Sequence, residues 1–187
     1  MVLKEIQRIL KENASQQHRE SNRKFIPSAN KSYGVKSPIL TEIVKNIKEV
    51  NFDLIQELWQ GEFFEEKVLA VKILGKFSSK DPEKSLKIIQ KFSRDISDWA
   101  VCDTLATQGI RKIAKSKKEE IFKISKKLIE SKNFWQRRFA LVLLIELYRQ
   151  GFSKERIEKI LEKIENDKEY YVKKAIIWLK KELNRKI

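Results

Sequence analysis

The chain has 187 residues, enough for one domain with a substantial hydrophobic core, and we expect a single domain over residues 1–187. Lysine and arginine total 41 against 26 aspartates and glutamates, a formal net charge of +15. Such a charge favours polyanionic partners, nucleic acid before an anionic membrane. With five glycines and three prolines there are few sites for tight turns, which disfavours a β-sandwich or a β-barrel.

The counts of cysteine and histidine limit the kinds of metal and redox site that the chain can form. Cys102 is the one cysteine and His18 the one histidine, so a disulfide framework and a Cys/His zinc site are excluded, and we expect no cofactor and no metal. The N-terminus is charged and amphipathic, which predicts no signal peptide, and the longest apolar run, residues 139–145, is too short to span a bilayer. We therefore expect a reduced, cytoplasmic protein without a membrane partner.

Apolar residues at spacings of three and four predict helices along the whole chain, and no convincing strand is found. Proline, glycine, asparagine and serine cluster over 26–38 and predict a loop, with Ser37 as the N-cap of a helix whose first residue is Pro38. Asn51 is predicted to cap a short helix that stops at Gly61. The predicted helices cover residues 2–12, 14–25, 38–48, 52–60, 63–77, 82–93, 97–114, 118–131, 134–150, 154–165 and 168–186.

An internal repeat determines the predicted architecture. Aromatic residues stand near the starts of four helices, 35, 36 and 36 residues apart, and a small alanine follows each of them. The aromatic residues are Phe64, Trp99, Trp135 and Tyr171. A helix pair that recurs at this period is typical of an α-solenoid, and HEAT-like repeats fit better than tetratricopeptide repeats because the Trp-Leu-Gly signature is absent. In such a stack, equivalent basic residues line one concave groove suited to a nucleic-acid backbone.

The segment Ser97–Ala106 contains the most informative pair of residues. Read as a helix, it places Trp99 and Asp103 one turn apart on the same face. Packing of Trp99 in the core, with Asp103 as a capping or surface residue, is the simpler interpretation. However, Asp103 is an acid in a row where the repeat supplies lysine or arginine, and it would repel phosphate. An acid at this position therefore calls for a functional reason.

Five segments in order resemble the DNA alkylation repair glycosylase family, which is built on HEAT-like repeats. They cover nearly the whole chain, about residues 20–185. They are Tyr33-Gly34-Val35-Lys36-Ser37-Pro38, Leu58-Trp59 with Phe63-Phe64-Glu65-Glu66, Trp99-Ala100-Val101-Cys102-Asp103, Trp135-Gln136-Arg137-Arg138-Phe139-Ala140, and Tyr171-Val172-Lys173-Lys174-Ala175-Ile176-Ile177-Trp178.

The resemblance implies a monofunctional alkylpurine DNA glycosylase that acts on duplex DNA without a metal or cofactor. It releases purines alkylated at N3 or N7, with Asp103 as the catalytic carboxylate and Trp99 and Trp178 as aromatic walls beside the lesion. Arg138 would hold the DNA near the lesion, and Arg137 is the less favoured of the adjacent pair. The family often has tyrosine at the position of Phe25, so one hydroxyl contact to DNA is missing here.

Further DNA contacts are expected from the groove residues Lys67, Lys174 and Trp135, with the protein acting as a monomer. Two other functions remain open. A HEAT-repeat module that binds DNA or RNA without chemistry would show salt-dependent affinity and no product. A protein-interaction scaffold, the commonest use of helical solenoids, would prefer acidic proteins to DNA.

Overall fold

The computed structural model describes residues 1–26 and 29–185, and every regular element in that part of the chain is a helix. Eleven α-helices are found among these residues. They are α1 (Leu3–Glu12), α2 (Gln16–Phe25), α3 (Ser37–Asn46), α4 (Phe52–Gln60), α5 (Phe64–Phe77), α6 (Pro82–Phe92), α7 (Trp99–Thr104), α8 (Lys118–Leu128), α9 (Phe134–Arg149), α10 (Lys154–Leu161) and α11 (Tyr170–Leu183). A 3₁₀ turn, Ser78–Lys80, follows α5, and a π-helical segment, Leu105–Gly109, follows α7.

The helices pack as a repeating stack. In one row α5 packs against α3 and α7, and α9 packs against α7 and α11. The helices between them form a second row, in which α4 packs against α5 and α8 against α9. The all-α helical repeat architecture expected from the sequence is confirmed.

Several side-chain hydrogen bonds join residues that lie about one repeat apart. The partners in four such bonds lie 33–37 residues apart in sequence. They join Trp59 to Asp95, Asp103 to Arg138, Arg149 to Glu182 and Glu119 to Arg156. Each repeat is thus attached to its immediate neighbour, as in solenoids.

The core runs through the middle of the stack, where α9 is surrounded on several sides. Residues 138–145 of α9 are all buried, and they include the longest apolar run of the sequence. A helix that is apolar all round must be enclosed by other elements, here α7, α8 and α11. Within residues 1–26 and 29–185, none of the helices combines the length and apolarity needed to cross a membrane.

Most predicted helix starts agree with the structure. The repeat aromatics occupy the first or second position of α5, α7, α9 and α11. Asn51 caps α4 as predicted, and its Oδ1 accepts hydrogen bonds from the amides of Asp53 and Leu54, each at 3.0 Å. The loop prediction over 26–38 and the helix prediction to 186 each include residues outside the described ones.

Two local predictions are wrong. Ser37 is not an N-cap, because its backbone is already helical and Lys36 occupies the cap position. The continuous helix expected over 97–114 ends as an α-helix at Thr104 and continues as the π-helical segment and then as turns. The neighbouring α5 explains the change: a Cβ on Gly75 would lie 2.0 Å from the Gln108 carbonyl oxygen, so the two backbones pack directly against each other at a glycine.

Candidate active site

Helix α7 presents the Trp99–Asp103 pair. Its N-cap is Asp98, whose buried carboxylate accepts a 2.7 Å hydrogen bond from the Val101 amide. An aspartate is favoured here because it satisfies an amide that has no partner inside the helix and complements the positive end of the helix dipole. With the helix start fixed, Trp99 and Asp103 lie one turn apart on one face, and both are half-buried.

Asp103 is paired with Arg138 of α9 through two parallel hydrogen bonds. Arg138 Nε donates to Asp103 Oδ1 at 2.9 Å, and Nη2 donates to Oδ2 at 2.7 Å. The Asp103 side chain is 20% exposed and the Arg138 side chain 7% exposed. A planar guanidinium that contacts a carboxylate in this way fixes the orientation of both groups. The pair accounts for an acid in an otherwise basic row.

Arg138 also reaches the next repeat, because its Nη1 donates a 2.7 Å hydrogen bond to the Tyr171 carbonyl at the start of α11. The Tyr171 ring lies against Trp135, with ring centroids 4.8 Å apart. The Trp135 carbonyl in turn faces the Cys102 Sγ, 3.8 Å away. We call the five residues Trp99, Asp103, Trp135, Arg138 and Tyr171 the Asp103 cluster.

The electrostatic environment of Asp103 combines two opposing influences. Burial raises the pKa of the Asp103 carboxyl above its ordinary value, whereas the hydrogen bonds and positive charge of Arg138 lower it. The neighbouring carboxylate of Asp98 adds to the rise. A carboxylate that is withdrawn from water, oriented by a cation and still partly exposed interacts strongly with any positive charge brought next to it.

Cys102, next to Asp103, is fully buried. Burial raises the pKa of the Cys102 thiol well above its ordinary value, and the negative charge of Asp103 adds to the effect. Because the thiolate is the reactive form, this cysteine behaves as a small packed side chain.

Trp99 and Phe25, both candidates from the sequence, are neighbours. The Trp99 indole Nε1 donates a 2.8 Å hydrogen bond to the carbonyl of Phe25, the last residue of α2. Carbonyls in the last turn of a helix lack intrahelical partners, so the indole satisfies one of them. The Phe25 ring is 62% exposed, with the Lys24 ammonium 5.5 Å from its centroid.

Trp178 lies farther along the stack. It is half-buried on α11, where its indole Nε1 contacts Glu182 Oε1 at 3.3 Å and the Arg149 guanidinium lies 5.6 Å from its ring centroid. Arg149 and Arg138 are eleven residues apart on α9, about 16 Å along the helix axis. The side-chain contacts of Trp178 are therefore with the Arg149–Glu182 pair and not with the Asp103 cluster.

The remaining candidate cations differ in how they are engaged. Lys67 Nζ donates a 2.6 Å hydrogen bond to the Trp59 carbonyl, and burial lowers the pKa of Lys67. The Arg137 guanidinium binds Asp167, with Nε 2.7 Å from Oδ2, and the Ser131 carbonyl at 2.9 Å. Lys174 is exposed, with its ammonium 5.4 Å from the Tyr170 ring centroid.

Glu65 is a buried carboxylate to which the sequence analysis assigned no role. Its Oε1 accepts hydrogen bonds from the Ser32 hydroxyl and from the amides of Gly34 and Val35 at 2.7, 2.8 and 3.1 Å, and its Oε2 accepts one from the Tyr33 amide at 3.0 Å. Gly34 has a φ of +76°, and a Cβ there would lie 2.1 Å from the Ser15 carbonyl oxygen. Loop 32–35 therefore needs glycine at this position in order to wrap around the carboxylate.

Beside it, Glu66 accepts a hydrogen bond from the Tyr33 hydroxyl, and burial together with this contact raises the pKa of Tyr33 to about 12. A signal for these roles was present in the sequence, since Tyr33-Gly34-Val35 and Glu65-Glu66 lie one repeat apart. These contacts attach the N-terminal loop to the start of α5.

The helical repeat, the buried carboxylates and the paired Asp103 agree with one result of sequence comparison. The model of the DNA alkylation repair enzyme family matches residues 6–186. The chain belongs to this family. A search of curated proteins found no match.

Membership in the DNA alkylation repair enzyme family assigns the protein to the repair of alkylated DNA, with DNA as the molecule it acts on. Among residues 1–26 and 29–185, there is no group of three or more His, Cys, Asp or Glu side chains that could hold a metal ion. The basic composition is consistent with a DNA substrate.

Proposed function

We propose that this protein is a DNA glycosylase that hydrolyses the N-glycosidic bond of purines alkylated at N3 or N7 in duplex DNA. One observation carries the proposal: the Asp103 carboxylate is oriented by Arg138 yet remains 20% exposed beside Trp99. Family membership supports repair of alkylated DNA, and the choice of reaction rests on this carboxylate.

The chemistry needs one acidic residue rather than two. Alkylation of a ring nitrogen leaves the purine cationic, so it departs without protonation by a general acid. As the C1′–N bond breaks, its electron pair neutralises the purine ring and positive charge develops on the sugar. A carboxylate nearby stabilises that charge and orients a water molecule, whose oxygen bonds to C1′ while its proton passes to the carboxylate or to solvent.

Arg138 acts on the reaction through Asp103. Its two hydrogen bonds hold the carboxylate in one orientation, and they oppose the rise that burial causes in the Asp103 pKa. Each carboxylate oxygen accepts one bond from Arg138 and retains acceptor capacity for water. We therefore propose Arg138 as a positioning residue, and its contact with DNA would use the N–H groups not bound to Asp103 or Tyr171.

Aromatic faces would favour the charged lesion over a neutral base. A cation over an indole face gains roughly 0.5–2 kcal/mol, depending on how far both groups are desolvated. Trp99, next to Asp103, fits this role, and we propose Trp178 as a second wall farther along α11. Phe25 offers an exposed ring next to Trp99 but no hydroxyl for a phosphate.

Among the other candidates for DNA contact, exposure favours Lys174, whose ammonium has room to meet a phosphate. Lys67 and Arg137 must first give up the carbonyl and carboxylate contacts described above. Trp135 supports the cluster by stacking on Tyr171.

The test is release of free 7-methylguanine and 3-methyladenine from methylated duplex DNA by the wild-type protein and by Asp103→Asn. Removal of one preorganised electrostatic group typically costs about 100-fold in rate, so Asp103→Asn should release base at least about 100-fold more slowly while DNA affinity is retained or increased. Asp95→Asn is the matched control. Its carboxylate accepts a hydrogen bond from the Trp59 indole and lies outside the Asp103 cluster, so the variant should keep the wild-type rate.

Other outcomes would separate the alternatives. Equal release by wild type and Asp103→Asn would keep the glycosylase and reject Asp103 as its catalytic group. Binding of DNA with no release by either protein would indicate a non-catalytic DNA-binding or RNA-binding module.

A further inference from the structure

A second basic site lies at the C-terminal end of α5. A cavity of about 510 Å³ opens between α3, α5 and the turn that follows the π-helical segment. This volume is in the range of ligand sites. Four of its eight lining residues are cations, and none of the eight is acidic. The eight lining residues are Thr41, Val44, Lys72, Gly75, Lys76, Gln108, Arg111 and Lys112.

Lys72 is the most informative residue in this cavity. It is half-buried, and no hydrogen bond or ion pair connects its ammonium to any described residue. Burial lowers the pKa of Lys72, with no charged group contributing. A half-buried ammonium without a partner is costly. Lys67 on the same helix differs, because its ammonium donates a hydrogen bond to the Trp59 carbonyl.

The neighbouring cations increase the positive charge. Lys76 Nζ donates to the carbonyls of Val44 and Ile47 at the end of α3, at 2.9 and 2.5 Å. Burial lowers the pKa of Lys76, and the positive charges of Lys48 and Lys112 add to that effect. Arg111 and Lys112 are exposed, and their side chains have no ion-pair partner among the described residues.

The cavity is next to the Asp103 cluster along the stack. Gln108, which lines it, belongs to the same helical segment as Asp103 and follows it by five residues, roughly 7 Å along the axis. The bare backbone of Gly75 forms part of the wall where α5 meets Gln108. Asp103 and one wall of this cavity therefore belong to the same helical segment.

We propose that the cavity binds a backbone phosphate of the DNA strand that carries the lesion, with Lys72, Arg111 and Lys112 as its cationic contacts. The inference rests on the proposed action on DNA and deepens it. The phosphate neutralises Lys72, holds the strand in register and sets which nucleotide lies next to Asp103.

The test is the salt dependence of binding to an unmodified duplex oligonucleotide. Loss of one phosphate contact lowers the slope of log K against log salt concentration by about 0.9, which corresponds to about an eightfold loss of affinity at 0.1 M salt. We expect this loss for Lys72→Gln. The Arg111→Gln/Lys112→Gln variant should lose at least as much, and it changes only exposed side chains, so its fold is preserved.

The matched control is Lys87→Gln/Lys126→Gln, which removes two exposed charges from α6 and α8 outside the cavity and should keep the wild-type slope. An unchanged slope in both cavity variants would overturn the proposal. Inorganic phosphate, titrated separately, distinguishes a free ligand: binding lost in Lys72→Gln while the DNA slope stays unchanged would reject DNA as the source of the phosphate. Because the duplex is unmodified, this result is independent of base release by the Asp103 site.

Discussion

Glu65 and Asp103 are two carboxylates withdrawn from water in neighbouring repeats, and their surroundings differ. Glu65 is fully buried, and four donors, three of them backbone amides, hold its two oxygens. Within residues 1–26 and 29–185, the Asp103 carboxylate is hydrogen-bonded by one residue, Arg138, and the Asp103 side chain is 20% exposed.

These surroundings distinguish a structural carboxylate from a candidate catalytic one. Glu65 has its acceptor capacity filled by loop 32–35, so no water or substrate can approach it. Asp103 is oriented but not saturated, which leaves acceptor capacity for a reacting group. Substitutions at Glu65 should therefore change stability, and substitutions at Asp103 should change chemistry.

The largest effect on stability is expected for Glu65→Gln. The amide cannot accept on both sides, so at least one buried donor of loop 32–35 loses its partner, and the charge-assisted bonds weaken. We expect a loss of about 3 kcal/mol in the free energy of unfolding, measured by urea denaturation, with base release unchanged where the protein is folded. Glu62→Gln, an exposed partner of Lys31, is the control and should cost less than about 1 kcal/mol. Loss of base release by folded Glu65→Gln would contradict the structural role.

Arg138→Gln should have a smaller effect on stability and a distinct effect on pH dependence. It breaks the pair with Asp103 and should cost about 2 kcal/mol, less than a fully buried pair because Asp103 is partly exposed. Arg138 lowers the pKa of Asp103. In Arg138→Gln, the acidic limb of the pH–rate profile for base release should therefore move to higher pH. In wild type that limb should already lie above the ordinary range of aspartate, because burial raises this pKa.

The raised pKa of Asp103 also makes the free energy of unfolding depend on pH. A folded-state pKa above the unfolded value gives a contribution that is complete below the unfolded pKa and is lost as pH rises through the folded pKa. The cost of Arg138→Gln should therefore be smaller at acidic than at neutral pH, as checked by thermal unfolding. Arg149→Gln, the same change on the same helix, should leave the acidic limb in place. A limb that stays fixed in Arg138→Gln would show that another group than Asp103 controls it.

Trp99→Phe should have the smallest effect. It removes the hydrogen bond to the Phe25 carbonyl and keeps an aromatic face, so we expect a loss of about 1 kcal/mol in unfolding free energy and less than about tenfold in base release. Trp99→Ala, which removes the face as well, should release base more slowly than Trp99→Phe. Equal rates for the two variants would show that the aromatic face has no part in selecting the lesion.

The sequence predicted the fold well because its strongest signals are periodic. Apolar spacing located the helices, and the recurring aromatics at 64, 99, 135 and 171 established the repeat. The same repeat offset relates Asp103 to Arg138 and Glu182 to Arg149, so opposite charges about one repeat apart were a usable sign of pairing. The family resemblance predicts Arg138 only as a DNA contact, because the charge of one residue does not reveal which neighbour neutralises it.

Other features could not be read from local sequence. The π-helical segment depends on the close approach of α5 at Gly75, and the burial of Glu65 depends on a loop 30 residues away. The lack of a hydrogen-bond or ion-pair partner for the Lys72 ammonium among the described residues likewise depends on its three-dimensional surroundings. Each of these requires the stacked arrangement, in which distant segments contact each other.

The hydrogen bonds of Arg138 determine how many repeats are needed to assemble the site. Asp103 lies on α7, Arg138 on α9 and the Tyr171 carbonyl on α11, so one guanidinium joins three successive repeats. In a stack stabilised by nearest-neighbour interfaces, opening begins at an end and proceeds inward. Fraying of α11 alone deprives Arg138 of one acceptor, and the orientation of Asp103 is complete only after the third repeat has docked. Assembly of the carboxylate site is therefore cooperative, because its full set of hydrogen bonds needs three successive repeats in contact.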